Sequence, residues 1–157
     1  MRFHQVLTTA LVFVSLAALD VGAQVKVELP ADPYATAAAL PLTPPVVDGV
    51  PVDVVTTDNK PIVGVSVLVV DTTKVARKIR MEIGAASREV HSSNIEMSYL
   101  YLLCLHGKRF KTDAAGRAMV TRARRGLVVV IQGRQLKSGS FALRPGAEPR
   151  RQRMVFA

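Results

Sequence analysis

The run Ile62–Val70 reads IVGVSVLVV. Apart from Gly64 and Ser66 every side chain in it is apolar, and most branch at Cβ. Branched side chains lose rotamer freedom in a helix and fit a pleated strand. A strand with one wet face would alternate polar and apolar residues, and this one does not. The run therefore demands apolar cover on both faces. A second stretch, Leu127–Gln132 (LVVVIQ), reads as a further strand, with Arg124-Arg125-Gly126 before it and Gly133 after it. A fold for this chain is expected to cover the Ile62–Val70 strand on both faces. It must do so without a covalent staple, because Cys104 is the single cysteine and can form no internal disulfide. Cys104 lies in an apolar segment and is expected to pack as a small hydrophobe.

Other segments fall into place around these two. Val52, Val54 and Thr56 alternate with Asp53, Val55 and Thr57, the period of a half-buried strand. TDNKP follows, with Asn59 and Pro61 as turn formers, so residues 50–70 are expected as a hairpin. Gly64 inside the second arm predicts a bulge or a close backbone approach. Lys74–His106 breaks the strand rhythm. Val75, Ile79, Ile83, Ala86 and Val90 recur at helical spacing, and Gly84 weakens that helix by about 1 kcal/mol relative to Ala. A second helix is bounded by Ser93 and Glu96 at capping-box spacing and by Gly107, expected in the left-handed cap position. Its MSYLYLLCL stretch is apolar on nearly every side. It is either core or a docking surface for a partner.

In Arg109–Val120, RFKTDAAGRAMV, the alternation resumes. Phe110 and Thr112 lead into a turn, and Ala118 and Val120 lead out. Asp113 can bond its own backbone two residues on, and Gly116 accepts a positive φ, so TDAAG is expected as a hairpin corner. Ser140–Leu143 and Gln152–Phe156 read as two final short strands. The total is six or seven strands, mainly β, with a helical insertion at about 74–107.

The N-terminal part reads differently. Arg2 precedes the apolar run Val6–Leu19, and Val21-Gly22-Ala23 supplies small residues at a cleavage position. These features predict a signal peptide over residues 1–23, an exported product and no membrane span after cleavage. Residues 24–46, rich in Ala and Pro, are expected as an extended linker, and 47–157 as the folded unit.

Two stretches together resemble a known family. VDVVTTDNKPIVGVSVLVVD is similar to the opening of the carboxypeptidase regulatory-like domain, matching at Asn59, Pro61, Gly64, Val65, Val67 and Val69. KTDAAGRAMV is similar to that family's second motif, matching at Thr112, Asp113, Gly116 and Arg117. Val65 stands where the family usually has Ala, and the helical Lys74–Arg109 between the motifs is longer than usual. The resemblance implies an antiparallel β-sandwich of immunoglobulin type, prealbumin-like, with the helical insertion between strands. It also implies a non-catalytic module accessory to exported or cell-surface proteins.

Little in the sequence invites chemistry. After leader removal His91 and His106 are the remaining histidines. No nucleophile-elbow pattern, paired Cys-x-x-Cys or His-Glu-x-x-His is present, and Cys104 and His106, two apart, would diverge on a helix. No catalytic residue, metal ligand or cofactor is expected. Charge is the stronger feature. Residues 24–73 hold two bases against six acids, whereas residue 74 onward holds 18 bases against five acids. Lys108, Arg109, Lys111, Arg122, Arg124 and Arg125 are candidate anion-binding residues, since guanidinium groups grip carboxylates, sulfates and phosphates in forked pairs. Asn59, Pro61, Gly64, Asp113 and Gly116 are turn residues of structural role. The partners this implies are another envelope protein or an anionic polysaccharide. Nucleic acid is not expected, because aromatics for base stacking are scarce and tryptophan is absent.

Overall fold

The computed structural model describes residues 26–157 apart from Ser93; the expected leader lies outside them. The elements run α1 (Pro33–Ala39), β1 (Val50–Thr56), β2 (Ser66–Asp71), α2 (Arg77–His91), α3 (Ile95–His106), β3 (Lys108–Lys111), β4 (Arg117–Val120), β5 (Arg125–Gln132), β6 (Gln135–Ala142) and β7 (Gln152–Phe156). The molecule is mainly strands. They form a three-stranded sheet in the order β4-β1-β7 and a four-stranded sheet in the order β3-β2-β5-β6. Pairing is antiparallel except between β1 and β7, which run parallel. Among the described residues no helix is long and apolar enough to cross a membrane.

The two apolar runs become the centre of a three-layer stack. On one face of β2 and β5, Val67, Val69, Val128 and Val130 meet Val50, Val52 and Val54 of β1 together with Phe110, Ala118, Val120 and Phe156. On the other face Leu68, Val70, Leu127 and Val129 meet Ile83, Met97, Leu100, Leu103 and Cys104 of the helices. Each fully buried Val or Leu contributes roughly 1.5–3 kcal/mol. Unbroken apolar sequence is what such a strand requires, because successive side chains enter opposite cores. By contrast β1 buries Val50, Val52 and Val54 while Pro51, Asp53 and Val55 stay partly exposed. Its alternation reports one covered face.

Helix α3 belongs to the core. Met97 and the run Leu100–Cys104 are buried, so the docking alternative for this helix does not hold. Its N-cap is Asn94, whose Oδ1 accepts from the amides of Glu96 and Met97; Ser93, the expected cap, lies outside the described residues. Gly107 corrects another expectation. Its φ is −87°, not left-handed. Glycine fits there because a Cβ would lie 2.6 Å from the Leu103 carbonyl oxygen. In α2, Ile83 and Ser87 are buried, but Val90 of the expected apolar stripe is 64% exposed.

The expected hairpins are instead crossings between sheets. Residues 50–70 begin to reverse as foreseen: Val55 bridges Pro61, and the Ile62 amide donates to the Val54 carbonyl. Gly64, at φ +72° with open space around it, then redirects the chain. β2 starts only at Ser66 and joins the other sheet, so the strand is shorter than Ile62–Val70. TDAAG behaves alike, because β3 pairs with β2 while β4 pairs with β1. Among the described residues β5 and β6 pair as a direct hairpin, while β2 and β3 pair across the helical insertion. β6 is longer than the expected Ser140–Leu143; it is an edge strand whose residues other than Phe141 are exposed or half-buried, and so it carries no two-sided apolar pattern.

The Ala/Pro-rich stretch packs against the fold rather than standing off as an extended spacer. Asp32 caps α1 by accepting from the amides of Tyr34 and Ala35. Ala37 is buried against α3, with Val27, Leu29, Tyr34 and Leu40 packed around the same core. A helix of this length is marginal by itself; tertiary burial supplies what its propensity lacks.

Candidate functional site

The turn residues converge on one corner. Thr112, buried, donates from its hydroxyl to the Ile62 carbonyl at 2.8 Å and accepts from the Val65 amide at 3.1 Å. The Gly64 amide donates to the Thr112 carbonyl, and the Val54 amide to the Gly116 carbonyl. Gly116 has φ +71°, and a Cβ there would lie 2.7 Å from the Val54 carbonyl oxygen and 2.8 Å from the Pro61 side chain. Asp113 Oδ1 accepts from the amides of Ala115 and Arg117. Asn59, at φ 63°, accepts from the Arg153 guanidinium. On the outer face of the three-stranded sheet, Arg117 reaches Asp53 at 2.6 Å and Arg151 reaches it at 3.3 Å. Every polar atom named here serves a partner within the fold.

The candidate anion-binding residues do not share one surface. Arg109 is spent internally: Nε donates to Ser66 Oγ at 3.0 Å and a terminal nitrogen to the Leu40 carbonyl at 3.2 Å. Arg122 ties two loops by donating to the carbonyls of Asp48 and Ala147. Lys111 lies at the other end of β3, beside Leu42–Pro45 and Met119. The remainder gather into two groups. Lys108 and Arg122 border a depression with Lys74, His106 and Asp71, and Arg122 borders the next one with Arg124 and Arg144. Asp71 is occupied there. Burial would raise its carboxyl, but the hydroxyl and amide of Thr73 and the amides of Arg124 and Arg125 outweigh that and hold it below its ordinary range.

Arg125 belongs elsewhere. It lies in a cleft of about 600 Å³ between α2, α3 and the β5–β6 edge. Arg80 and Arg88 of α2 line it too, with Gly84 between them. The floor is apolar: Ile83, Leu102, Leu127 and Phe141, with Ile95 and Tyr99 at the side. Thr72, Ser98 and Ser140 add hydroxyl groups, and no carboxylate lines the cleft. Among the described residues none of these three guanidinium groups has an ion pair or side-chain hydrogen bond. The sequence reading missed Lys74, Arg80, Arg88 and Arg144 as site residues. Arg80, Gly84 and Arg88 follow one another at steps of four, which places them on one helical face. That spacing is visible in the sequence.

The histidines and the thiol are placed apart. His91 Nε2 is 2.8 Å from the Tyr101 hydroxyl, a pair on facing helices. Tyr101 is held above its ordinary range first by burial and then by Cys104 and Asp32. Cys104 is buried and its thiol donates to the Pro33 carbonyl, while His106 is exposed. Burial pushes the Cys104 thiol up to about 11. Among the described residues no three His, Cys, Asp or Glu side chains group as metal ligands. Compared with family models, with curated proteins and with solved structures, the chain matches none.

Proposed function

We propose that this chain is an exported, non-catalytic module that works by contact, and that its ligand is an anionic polymer of the cell envelope. The observation that carries the reading is the basic end of the molecule. Lys74, Lys108, Arg124 and Arg144 rim two adjoining depressions that meet at Arg122. The carboxylate among them, Asp71, is engaged by its own neighbours. Such a field attracts a polyanion over a distance of a Debye length, about 10 Å at 0.1 M salt. The family kinship, a carboxypeptidase regulatory-like, prealbumin-type sandwich, is part of this proposal. Two sheets closing on a shared core support it, as does the meeting of the two quoted motifs at one corner.

Retention on a heparin-like resin tests the ligand class. The protein should elute at a salt concentration that falls clearly when Lys108, Arg124 and Arg144 are together changed to Gln. Arg122 is left in place because it holds loops together. Retention indifferent to salt, or unchanged in the triple variant, would overturn the reading.

A further inference from the structure

The cleft between α2, α3 and the β5–β6 edge is a different kind of place from the basic end. We infer that it binds a single-chain anionic amphiphile: a carboxylate head held by Arg80, Arg88 and Arg125, with an alkyl tail laid on the apolar floor. This goes beyond polyanion binding, since it concerns another surface and another ligand class.

Three observations converge. First, charge complementarity is one-sided. Three guanidinium groups face the cleft with no carboxylate in its lining and no internal partner among the described residues. Arginines that hold structure here look different, as Arg109 and Arg122 show by donating to backbone carbonyls. Second, a polyanion needs charge along a groove, whereas here Ile83, Leu102, Leu127 and Phe141 form a greasy floor beside the cations. That mixture suits a ligand with one charged end and one apolar end. Third, the cleft's volume, about 600 Å³, falls within the roughly 300–1,000 Å³ typical of small-molecule sites. Gly84 keeps it open. A Cβ built there meets just the Arg88 guanidinium at 3.7 Å, with nothing else within 4 Å outside its own helix turn. A helix gains stability from almost any other residue at such a position, so glycine in α2 costs stability and leaves space.

Dodecanoate is the probe, titrated calorimetrically below its micelle concentration into the purified protein. Saturable one-to-one binding is expected. Dodecan-1-ol, which keeps the tail, and butyrate, which keeps the head, should each bind at least about tenfold more weakly, as loss of a charge-assisted contact or of the buried tail predicts. Changing any one of Arg80, Arg88 and Arg125 to Gln should weaken dodecanoate about tenfold or less. These side chains are exposed, so folding should survive. Gly84→Leu should fill the cleft and abolish binding while the melting temperature stays level or rises. Failure of dodecanoate to bind, equal binding of the alcohol, or full binding by folded Gly84→Leu would each overturn the inference. The heparin result is independent of it. Gly84→Leu should leave retention intact, and the Lys108/Arg124/Arg144 triple variant should leave dodecanoate binding intact.

Discussion

The two sheets of this molecule each hold valine-rich strands, β1 in one and β2 and β5 in the other, but these live in different surroundings. β2 and β5 of the four-stranded sheet are buried on both faces, by the other sheet and by the helices. The three-stranded sheet is covered on one face, and its outer side carries Asp53 with Arg117 and Arg151. The difference teaches where this fold is intolerant. A position facing the helices from β5 is core, whereas the same kind of position on β1 or β7 is surface.

The largest effect should come from placing a charge on each kind of face. Val129→Asp puts a carboxylate in the helix-side core with no partner; it should prevent folding or cost several kcal/mol. Val155→Asp on β7, where the native side chain is 40% exposed, should change stability by about 0.5 kcal/mol or less. Urea unfolding followed by circular dichroism measures both, and comparable losses would erase the contrast between the sheets.

Next in size is the bond that joins the sheets at their corner. Thr112→Val keeps the shape but strips the Ile62 carbonyl and the Val65 amide of their partner. Leaving buried polar groups unmet should cost about 1–3 kcal/mol in the same unfolding experiment. A neutral result would mean that the corner does not hold the sheets together.

Smaller still is a pH effect on the four-stranded sheet. The folded Asp71 carboxyl is held below its ordinary 3.8, so the unfolded chain binds a proton at higher pH than the folded one. Its stabilisation is therefore complete above about the ordinary value and disappears as pH falls through the lowered one. Asp71→Asn should lower stability in the neutral region and flatten the acid limb of the stability–pH curve, converging with the unsubstituted protein below about pH 4, where that contribution is lost anyway. Asp53→Asn on the other sheet should cost under about 1 kcal/mol, because its Arg117 partner is 34% exposed and solvent screens the pair.

The comparison also explains what the sequence could and could not say. Burial is written into composition at each position, so the two-sided strand within Ile62–Val70 and the alternation at Phe110, Thr112, Ala118 and Val120 were legible. Turn chemistry was legible as well: Asn59, Asp113 and Gly116 turn the chain as expected. Pairing was not. A turn fixes a local reversal, but whether its two arms stay together depends on which distant strand offers each arm its hydrogen bonds. Gly64 shows this, since one residue of positive φ carries the chain from one sheet to the other. The packing of α1 was hidden for a related reason, because its burial under α3 depends on residues some seventy positions away, as the Cys104–Pro33 contact shows. The candidate site was partly readable. Lys108 and Arg124 do lie at the basic end, but whether Arg109 and Arg122 were free depended on carbonyls of remote loops. Arg80 and Arg88 gained their meaning only once β5 had brought Arg125 and an apolar floor beside them.

Everything here depends on the helices sealing the outer face of the four-stranded sheet, and Cys104 reports on that seal. It is the chain's single thiol, buried in α3 beneath α1. With its thiol at about 11, against an ordinary 9.0, roughly a hundredfold less thiolate is present near pH 8. Iodoacetamide labelling of the native protein near pH 8 should therefore run at least about a hundredfold slower than in denaturant. A native rate within a few-fold of the unfolded one would contradict the account.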